Sequence, residues 1–138
     1  MDVREVNKRV IEQFRAGGEI EGMHRDRLLL LTTVGAKTGH SHTTPMMFQQ
    51  DGDRLIVVAA NAGAPRDPQW YRNLVREPRV TVEVGQDSYG AVASVLAGPE
   101  RDRRWAALTA AYPFLADYER QAGRVIPVIG LARPPDGG

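Results

Sequence analysis

The sequence contains no cysteine, and this absence removes several kinds of chemistry at once. Without thiols the chain forms no disulfide, has no thiolate nucleophile and cannot bind a metal through cysteine. It also lacks any apolar run close to the roughly 20 residues that a membrane-spanning helix needs. Its first residues, MDVREVNKRV, lack the apolar stretch of a signal peptide. These absences predict a cytoplasmic protein without an integral membrane span.

Charge of one sign is not in excess either. The 138 residues include 18 Lys and Arg against 17 Asp and Glu, for a formal net charge of +1, and the basic residues are scattered. Because nucleic-acid-binding domains concentrate positive charge on one face, no nucleic-acid partner is predicted. Apolar residues make up 42% of the chain, which is ordinary for a globular protein. A chain of this length supports one hydrophobic core, so we predict a single domain over residues 1–138.

The hydrophobic pattern predicts one helix and then a series of short strands. Apolar residues within 3–14 share one helical face, and Gly17 with Gly18 ends this N-terminal helix (1–18). Six strands follow, predicted at 27–34, 43–50, 54–60, 79–84, 88–96 and 125–131. The first three are expected to form a meander, and Pro127 indicates an edge position or a bulge for the last. Residues 132–138 are expected to form a flexible tail.

Short helices are predicted between these strands. Asp67 is expected to cap a helix that begins at Pro68 and continues to about Arg76. Two further helical stretches are predicted over about 100–111 and 114–121. Six closely spaced and mostly antiparallel strands tend to close into a barrel. The predicted fold class is therefore mainly β (α+β), a small six-stranded barrel with peripheral helices.

The first candidate site is the glycine-bounded loop GAKTG at residues 35–39. Backbone N–H groups in such a turn can converge on an anion, and Lys37 adds positive charge, which suits a phosphate or a carboxylate. The loop is not a Walker A motif, because Ala36 stands where that pattern needs a glycine. An ordinary hairpin with an exposed lysine would explain the same residues.

Two more segments could form a binding site. Around residues 60–64 the side chains are small enough for a flat ring to approach the backbone, and a helix N-terminus follows. Trp70 on that helix either borders such a ring or packs in the core. Farther along, Tyr112 and Tyr118 flank Leu115 at spacings of three, so they could line a pocket or bury their rings in the core. The three histidines lack metal-site spacing, so no metal is predicted, and no catalytic residue is assigned.

The first two candidates occur together and in order, and this combination resembles a known family. The runs LLLLTTVGAKTGHSHTTPMMF and VVAANAGAPRDPQWYRNLVREPRVTVEVG are similar to the deazaflavin-dependent nitroreductase and quinone reductase family of actinobacteria. The closing run AYPFLADYERQAGRVIPVIGL resembles the C-terminal segment of that family. The likeness covers residues 27–131 and implies a split β-barrel related to FMN-binding barrels.

The resemblance also implies coenzyme F420, a deazaflavin with an anionic tail, as hydride donor to a quinone or a nitro compound. It implies that the coenzyme is held by Ala36, Lys37, Thr38, Gly39, Thr43, Thr44, Pro45, Met46, Ala60, Asn61, Ala62, Gly63, Trp70 and Asn73. The tail is expected at the loop over 36–39 and the ring beside 60–63. The wall on the acceptor side is implied to consist of Tyr112, Leu115 and Tyr118.

Departures from the family pattern qualify these expectations. Ala36 and His42 stand where the family often has arginine, so the tail site is expected to carry less positive charge. Leu115 stands where prodrug-activating relatives have tyrosine, which favours a quinone over a nitroimidazole as acceptor. Two alternatives stay open, an FMN-dependent barrel enzyme and a ligand-binding protein without catalysis. Related barrels often pair, so a homodimer fits this prediction, and peripheral contact with the inner membrane face stays open as well.

Overall fold

A computed structural model describes residues 3–17, 25–35 and 38–134. Within these ranges the helices are α1 (Val3–Ala16), α2 (Gln69–Arg76), α3 (Gly98–Ala111) and α4 (Phe114–Ala122). The strands are β1 (Leu28–Val34), β2 (Ser41–Met47), β3 (Gln49–Asp51), β4 (Arg54–Val58), β5 (Arg79–Val84), β6 (Asp87–Val95) and β7 (Val128–Ala132). Short 3-10 turns lie at Arg25–Arg27 and Asn61–Gly63. No helix in the described ranges is long and apolar enough to cross a membrane.

The strands form one sheet in the order β2-β1-β5-β6-β7-β4-β3, and all neighbours are antiparallel. The two outermost strands of this order, β2 and β3, follow each other in the chain and are separated only by Phe48. The sheet therefore curls back on itself. This confirms the predicted split barrel with peripheral helices.

The described residues contain seven strands where the sequence predicts six, because the predicted strand over 43–50 is divided at Phe48. The Phe48 amide donates to the carbonyl oxygen of Arg27 at 3.2 Å, outside either ladder. Before this point the chain pairs with β1, and after it the chain pairs with β4. The predicted meander is thus two hairpins, β1–β2 and β3–β4, joined by the bend at Phe48. They lie at opposite ends of the strand order in the sheet.

The prediction that Pro127 places the last strand at an edge or a bulge is wrong. Strand β7 is an interior strand between β6 and β4, and it begins at Val128, one residue after the proline. Since Pro127 precedes the ladder, its missing N–H costs no strand pairing. Its carbonyl oxygen accepts a hydrogen bond from the Ala59 amide at 3.0 Å. Residues 135–138 of the predicted tail lie outside the described residues.

Helix α1 covers the outer face of β1, as its amphipathic pattern predicts. Phe14 is buried against Leu28 and Leu30, while the alternate leucines of β1 face the barrel interior. The helix ends at Gly17, whose φ of 81° is a left-handed conformation that glycine adopts without a Cβ clash. Its neighbour Gly18 lies outside the described residues.

Helix α2 is present, but Asp67 does not cap it as predicted. The helix begins at Gln69, and the capping position is held by Pro68 in an extended conformation, without a side-chain cap hydrogen bond. The carboxylate of Asp67 instead accepts a hydrogen bond from Arg124 at 2.8 Å. An ion pair with a residue distant in sequence has thus displaced the local capping interaction.

Candidate functional site

An apolar pocket opens between the barrel and the helices α3 and α4. Its volume is about 160 Å³, and it is lined by Met46, Met47, Phe48, Ile56, Val58, Ala60, Leu108, Tyr112, Phe114, Leu115 and Tyr118. The polar groups of its lining side chains are the two tyrosine hydroxyls, apart from the weakly polar methionine sulfurs. A lining of this kind suits a flat, largely apolar molecule that carries a few oxygen atoms.

The helix side of this pocket is an aromatic wall built by the junction of α3 and α4. Tyr112 ends α3, and Phe114 begins α4. The ring centroid of Phe114 lies 6.0 Å from that of Tyr112 and 5.5 Å from that of Tyr118. Leu115 is buried between these aromatic residues and the barrel. All three residues predicted for the acceptor wall therefore line one pocket.

Phe114 was not among the predicted site residues, although it lies two residues from Tyr112. Its side chain is 41% exposed and stands at the pocket, where it contacts both tyrosines. The run Tyr-Pro-Phe at 112–114 was the available signal, because the proline separates two helices and leaves both aromatic residues at their junction.

The barrel side of the pocket includes a strained turn. Ala60 lines the pocket, and the next three residues all have positive φ values: 49° at Asn61, 52° at Ala62 and 83° at Gly63. Positive φ is uncommon for residues with a Cβ and must be held by surrounding contacts. Gly63 packs tightly on α4, since a Cβ there would stand 3.2 Å from Cδ1 of Tyr118.

Strand β2 contributes to the pocket unevenly. Met46 lines it and packs against the interior core, whereas Thr43 lines a separate groove beside α1. The hydroxyl groups of Thr43 and Thr32 lie 2.8 Å apart across the β1–β2 ladder. Thr44 and Pro45 are half-buried within the strand. Of the four residues predicted on this strand, one is thus placed at the pocket.

The glycine-bounded loop is only partly described. Ala36 and Lys37 lie outside the described residues, so their predicted role at the coenzyme tail stays a prediction. Thr38 and Gly39 are exposed, and the Oγ1 atom of Thr38 accepts a hydrogen bond from the amide of His40 at 3.2 Å. The exposed positions of Thr38 and Gly39 leave this end of the loop open to a ligand.

Trp70 and Asn73 of α2 are not placed at the pocket. Trp70 packs partly buried against the interior core. Asn73 is fully buried, and its Nδ2 atom donates to Oγ1 of Thr33 at 3.1 Å. Its Oδ1 atom accepts a hydrogen bond from Gln69 at 2.9 Å. The contact with Thr33 anchors α2 to β1, and the contact with Gln69 lies within α2. A direct contact of Asn73 with a coenzyme stays a prediction without support from its position.

Arg124 is a residue of this region that the sequence did not indicate. Its guanidinium group lies under the loop that carries the strained turn and contacts its carbonyl oxygens and Asp67. Among the described residues no group of three or more His, Asp or Glu side chains is placed to hold a metal ion.

Comparisons with known proteins give one consistent result. A model of the family described as F420H(2)-dependent quinone reductase matches residues 3–132. The chain is 36% identical over 108 residues to an F420H(2)-dependent quinone reductase of Mycobacterium tuberculosis, and the match covers 76% of this chain and 72% of that protein. A solved structure of an F420-H2 dependent reductase has a TM-score of 0.70 at 34% identity and covers 80% of this chain and 99% of its own. Another solved structure, described as a domain-swapped dimer, has a TM-score of 0.71 at 34% identity, and the match covers 94% of this chain and 96% of that chain.

Proposed function

The chain belongs to the F420H(2)-dependent quinone reductase family, and from this premise we propose where on the barrel its reaction takes place. It is an oxidoreductase that passes a hydride from reduced coenzyme F420 to an organic acceptor. We propose that a quinone-type acceptor occupies the pocket beneath α3 and α4. The coenzyme ring then lies beside Met46 and Ala60, with its tail toward the loop at 36–39.

One observation carries this proposal. The residues that the family resemblance assigns to the coenzyme and those that it assigns to the acceptor come from distant parts of the chain. Members of both groups line the same pocket. The first group contributes Met46 and Ala60, and the second contributes Tyr112, Leu115 and Tyr118. A hydride moves between two molecules only when their reacting atoms are in contact, so a shared pocket is what the reaction requires.

The residues around the strained turn suit a deazaflavin. Small side chains at Ala60 and Ala62 leave the backbone open to a flat ring, whereas Gly63 is packed against Tyr118 and Gln121 of α4. Ala60 is right-handed, with φ −77° and ψ −28°, and Asn61 is left-handed, with φ 49°. A right-handed residue followed by a left-handed one turns successive amide N–H groups toward one concave side, where they can bind an oxygen or an anion. The turn therefore supports binding of the polar edge of the ring.

The protein supplies position, exclusion of water and a source of protons. When bound, the reduced coenzyme supplies the hydride. The apolar lining from Met46, Ile56 and Leu115 keeps water from the reacting face. A quinone also needs a proton, and the hydroxyl groups of Tyr112 and Tyr118 are the donors that the pocket wall offers besides solvent.

The acceptor side favours a lipophilic quinone. Met47 and Phe114 are 43% and 41% exposed at the pocket, so apolar surface continues outward from the enclosed part. Such surface suits an acceptor with an apolar substituent and supports peripheral contact with the inner membrane face. A nitroaromatic acceptor remains a second candidate, because the same wall can stack on any flat ring. The related domain-swapped dimer supports a homodimer as the assembly to test by size-exclusion chromatography with light scattering.

The proposal is tested by fluorescence titration with oxidised coenzyme F420, with FMN as the control ligand. We expect micromolar binding of the deazaflavin and none of FMN, followed by turnover of quinones with the reduced coenzyme. The Tyr118→Phe variant is expected to change acceptor turnover and leave coenzyme affinity unchanged. Binding without turnover across quinones and nitro compounds would instead support a ligand-binding protein. Equal loss of both properties in Tyr118→Phe would contradict the assignment of Tyr118 to the acceptor wall.

A further inference from the structure

Arg124 lies between α4 and β7, and its side chain reaches back to the loop between β4 and α2. The side chain is 17% exposed. Its Nη1 atom donates to the carboxylate of Asp67 at 2.8 Å. Its Nη2 atom lies 3.0 Å from the carbonyl oxygen of Arg66, 3.3 Å from that of Ala59 and 3.4 Å from that of Ala60, and Nε lies 3.3 Å from that of Ala64. One guanidinium group thus contacts four backbone carbonyls and one carboxylate of a single loop.

These carbonyl groups need such a partner. The loop leaves β4 at Val58 and reaches α2 at Gln69, so most of its backbone has no strand ladder or α-helix to satisfy it. Ala59 and Ala60 are buried, which keeps water from much of their backbone. The guanidinium group has five donors in a planar fork and can serve several acceptors at once.

The same loop holds the strained turn at Asn61–Gly63. Ala62 has a φ of 52° and a ψ of 30°, and its methyl side chain cannot form a hydrogen bond that would favour this conformation. The side chain of Asn61 can form a hydrogen bond, and its Nδ2 atom donates to the carbonyl oxygen of Arg66 at 2.9 Å. Arg124 contacts that same carbonyl and both residues that precede the turn. Two backbone hydrogen bonds of 3.0 Å close the turn from within, from the Gly63 amide to the Ala60 carbonyl and from the Ala64 amide to the Asn61 carbonyl. From outside the turn, Arg124 makes most of the side-chain contacts that hold the loop.

We infer that Arg124 is a positioning residue for coenzyme binding: it holds the loop so that Ala60 and the left-handed turn keep their place at the pocket. Within the turn the Gly63 amide donates to the carbonyl oxygen of Ala60 at 3.0 Å, so the amide groups assigned to a ligand are those of Asn61 and Ala62. Asp67 orients the guanidinium group, which explains why that carboxylate is not used as a helix cap. This inference rests on the proposed function only in naming the coenzyme as the ligand of the turn.

The test is the Arg124→Lys variant. Lysine keeps a positive charge for Asp67 but has no planar fork, so it cannot span the same set of carbonyls. In the protein without coenzyme we expect faster amide hydrogen exchange at residues 61–64 and unchanged exchange in β1 and β5. We expect the dissociation constant for coenzyme F420 to rise at least about tenfold. At saturating coenzyme, kcat should remain close to the wild-type value.

Arg101→Lys is the matched control. The Arg101 side chain is 15% exposed and donates to the carbonyl oxygen of Ile126 at 2.7 Å, in the segment that follows Arg124. Within the part of the chain that the structure describes, Arg101 contacts Ile126, Glu119 and Trp105, and none of these belongs to the loop between β4 and α2. Arg101→Lys should therefore lower the melting temperature without changing coenzyme affinity. If both variants lose affinity in proportion to their loss of stability, Arg124 has only a structural role and the inference is overturned.

A rescue variant separates positioning from general stability. Ala62→Gly removes the Cβ clash of the left-handed conformation, so adding it to Arg124→Lys should restore part of the lost coenzyme affinity. No rescue, together with unchanged hydrogen exchange at 61–64 in Arg124→Lys, would overturn the inference. If wild-type protein fails to bind the coenzyme, the proposed function fails, and the hydrogen-exchange comparison still decides whether Arg124 holds the turn.

Discussion

Gly63 and Tyr118 pack so closely that the turn beside the pocket and helix α4 share one surface. A Cβ at Gly63 would stand 3.2 Å from Cδ1 of Tyr118 and 3.0 Å from Cδ of Gln121. Gly63 also has a φ of 83°, which a residue with a Cβ adopts at a cost. The position therefore combines a backbone requirement for glycine with a steric one, and it links the side of the pocket proposed for the coenzyme to the side proposed for the acceptor.

Gly63→Ala is expected to lower the free energy of unfolding by about 2–4 kcal/mol, from left-handed strain and from crowding at Tyr118. Gly85→Ala is the matched control, since Gly85 has a φ of 59° in a turn where a Cβ would meet nothing within 4 Å. In Gly85→Ala the free energy of unfolding should fall by only about 1–2 kcal/mol. Urea denaturation measures both variants, and equal losses would show that crowding at Tyr118 contributes nothing.

Asn73 is expected to act on stability and not on coenzyme binding. Its buried amide bridges Thr33 of β1 and Gln69 of α2, so Asn73→Ala should lower the free energy of unfolding by about 2–3 kcal/mol. Gln69→Ala removes only the exposed partner and should have an effect of about 0.5 kcal/mol or less. Coenzyme titration at a temperature where Asn73→Ala is fully folded should give wild-type affinity. A large loss of affinity there would favour the direct contact that the sequence resemblance implies.

The barrel was predictable from local patterns, but its closure was not. Alternating and continuous apolar runs indicate strands, and all six predicted strands are present: β5 has the predicted bounds, the strand over 43–50 is divided at Phe48, and the other four have shifted bounds. The bend at Phe48 depends on its amide meeting the carbonyl of Arg27, and no local pattern at 43–50 reports that contact. The edge position or bulge predicted from Pro127 is wrong for a related reason. The proline lies one residue before β7, and the neighbours of that strand are set by the whole sheet.

The site was predictable where one segment carries the signal. Leu115 and Tyr118 lie one turn apart on α4, and Tyr112 precedes that helix by two residues, so their spacing in sequence already places them near one another. Arg124 could not be found in this way, because its partners lie 57 to 65 residues away in sequence. The helix cap predicted at Asp67 is wrong for the same reason. Asp67 has the position of an N-cap residue in the sequence, but the distant Arg124 binds its carboxylate instead.

Tyr71 is expected to make the protein more sensitive to alkaline pH. Burial, and then the negative charge of Asp67, raise the pKa of the Tyr71 phenol above its usual value of about 10. The folded state therefore holds the proton more tightly than the unfolded state. The contribution of Tyr71 to the free energy of unfolding is fully present below about pH 10, and it is lost as the pH rises through the folded-state pKa. Melting curves of wild type and Tyr71→Phe between pH 8 and 11 should diverge above about pH 10, with the wild type losing more. Parallel curves would contradict this prediction.

His42 stands where the family resemblance implies arginine, and its position beside the loop proposed for the coenzyme tail gives that difference a measurable consequence. It pairs with Thr33 at the end of β1, and its Nε2 atom would lie 3.0 Å from a Cβ at Gly35, the first residue of the loop. Because arginine is always charged and has five donors, His42→Arg should tighten binding of the anionic coenzyme tail by about two- to fivefold at low salt.

The gain from His42→Arg should shrink as salt is raised, because the site is exposed and exposed charges are screened within about 10 Å at 0.1 M salt. Gln86→Arg adds the same charge in the exposed turn between β5 and β6, at the opposite end of β1 in the strand register. It should leave affinity unchanged, so fluorescence titrations of both variants at two salt concentrations isolate the local effect. Equal gains would mean that net charge alone attracts the coenzyme. A gain confined to His42→Arg would support the loop over 36–39 as the tail site, since only a nearby anion can distinguish the two positions.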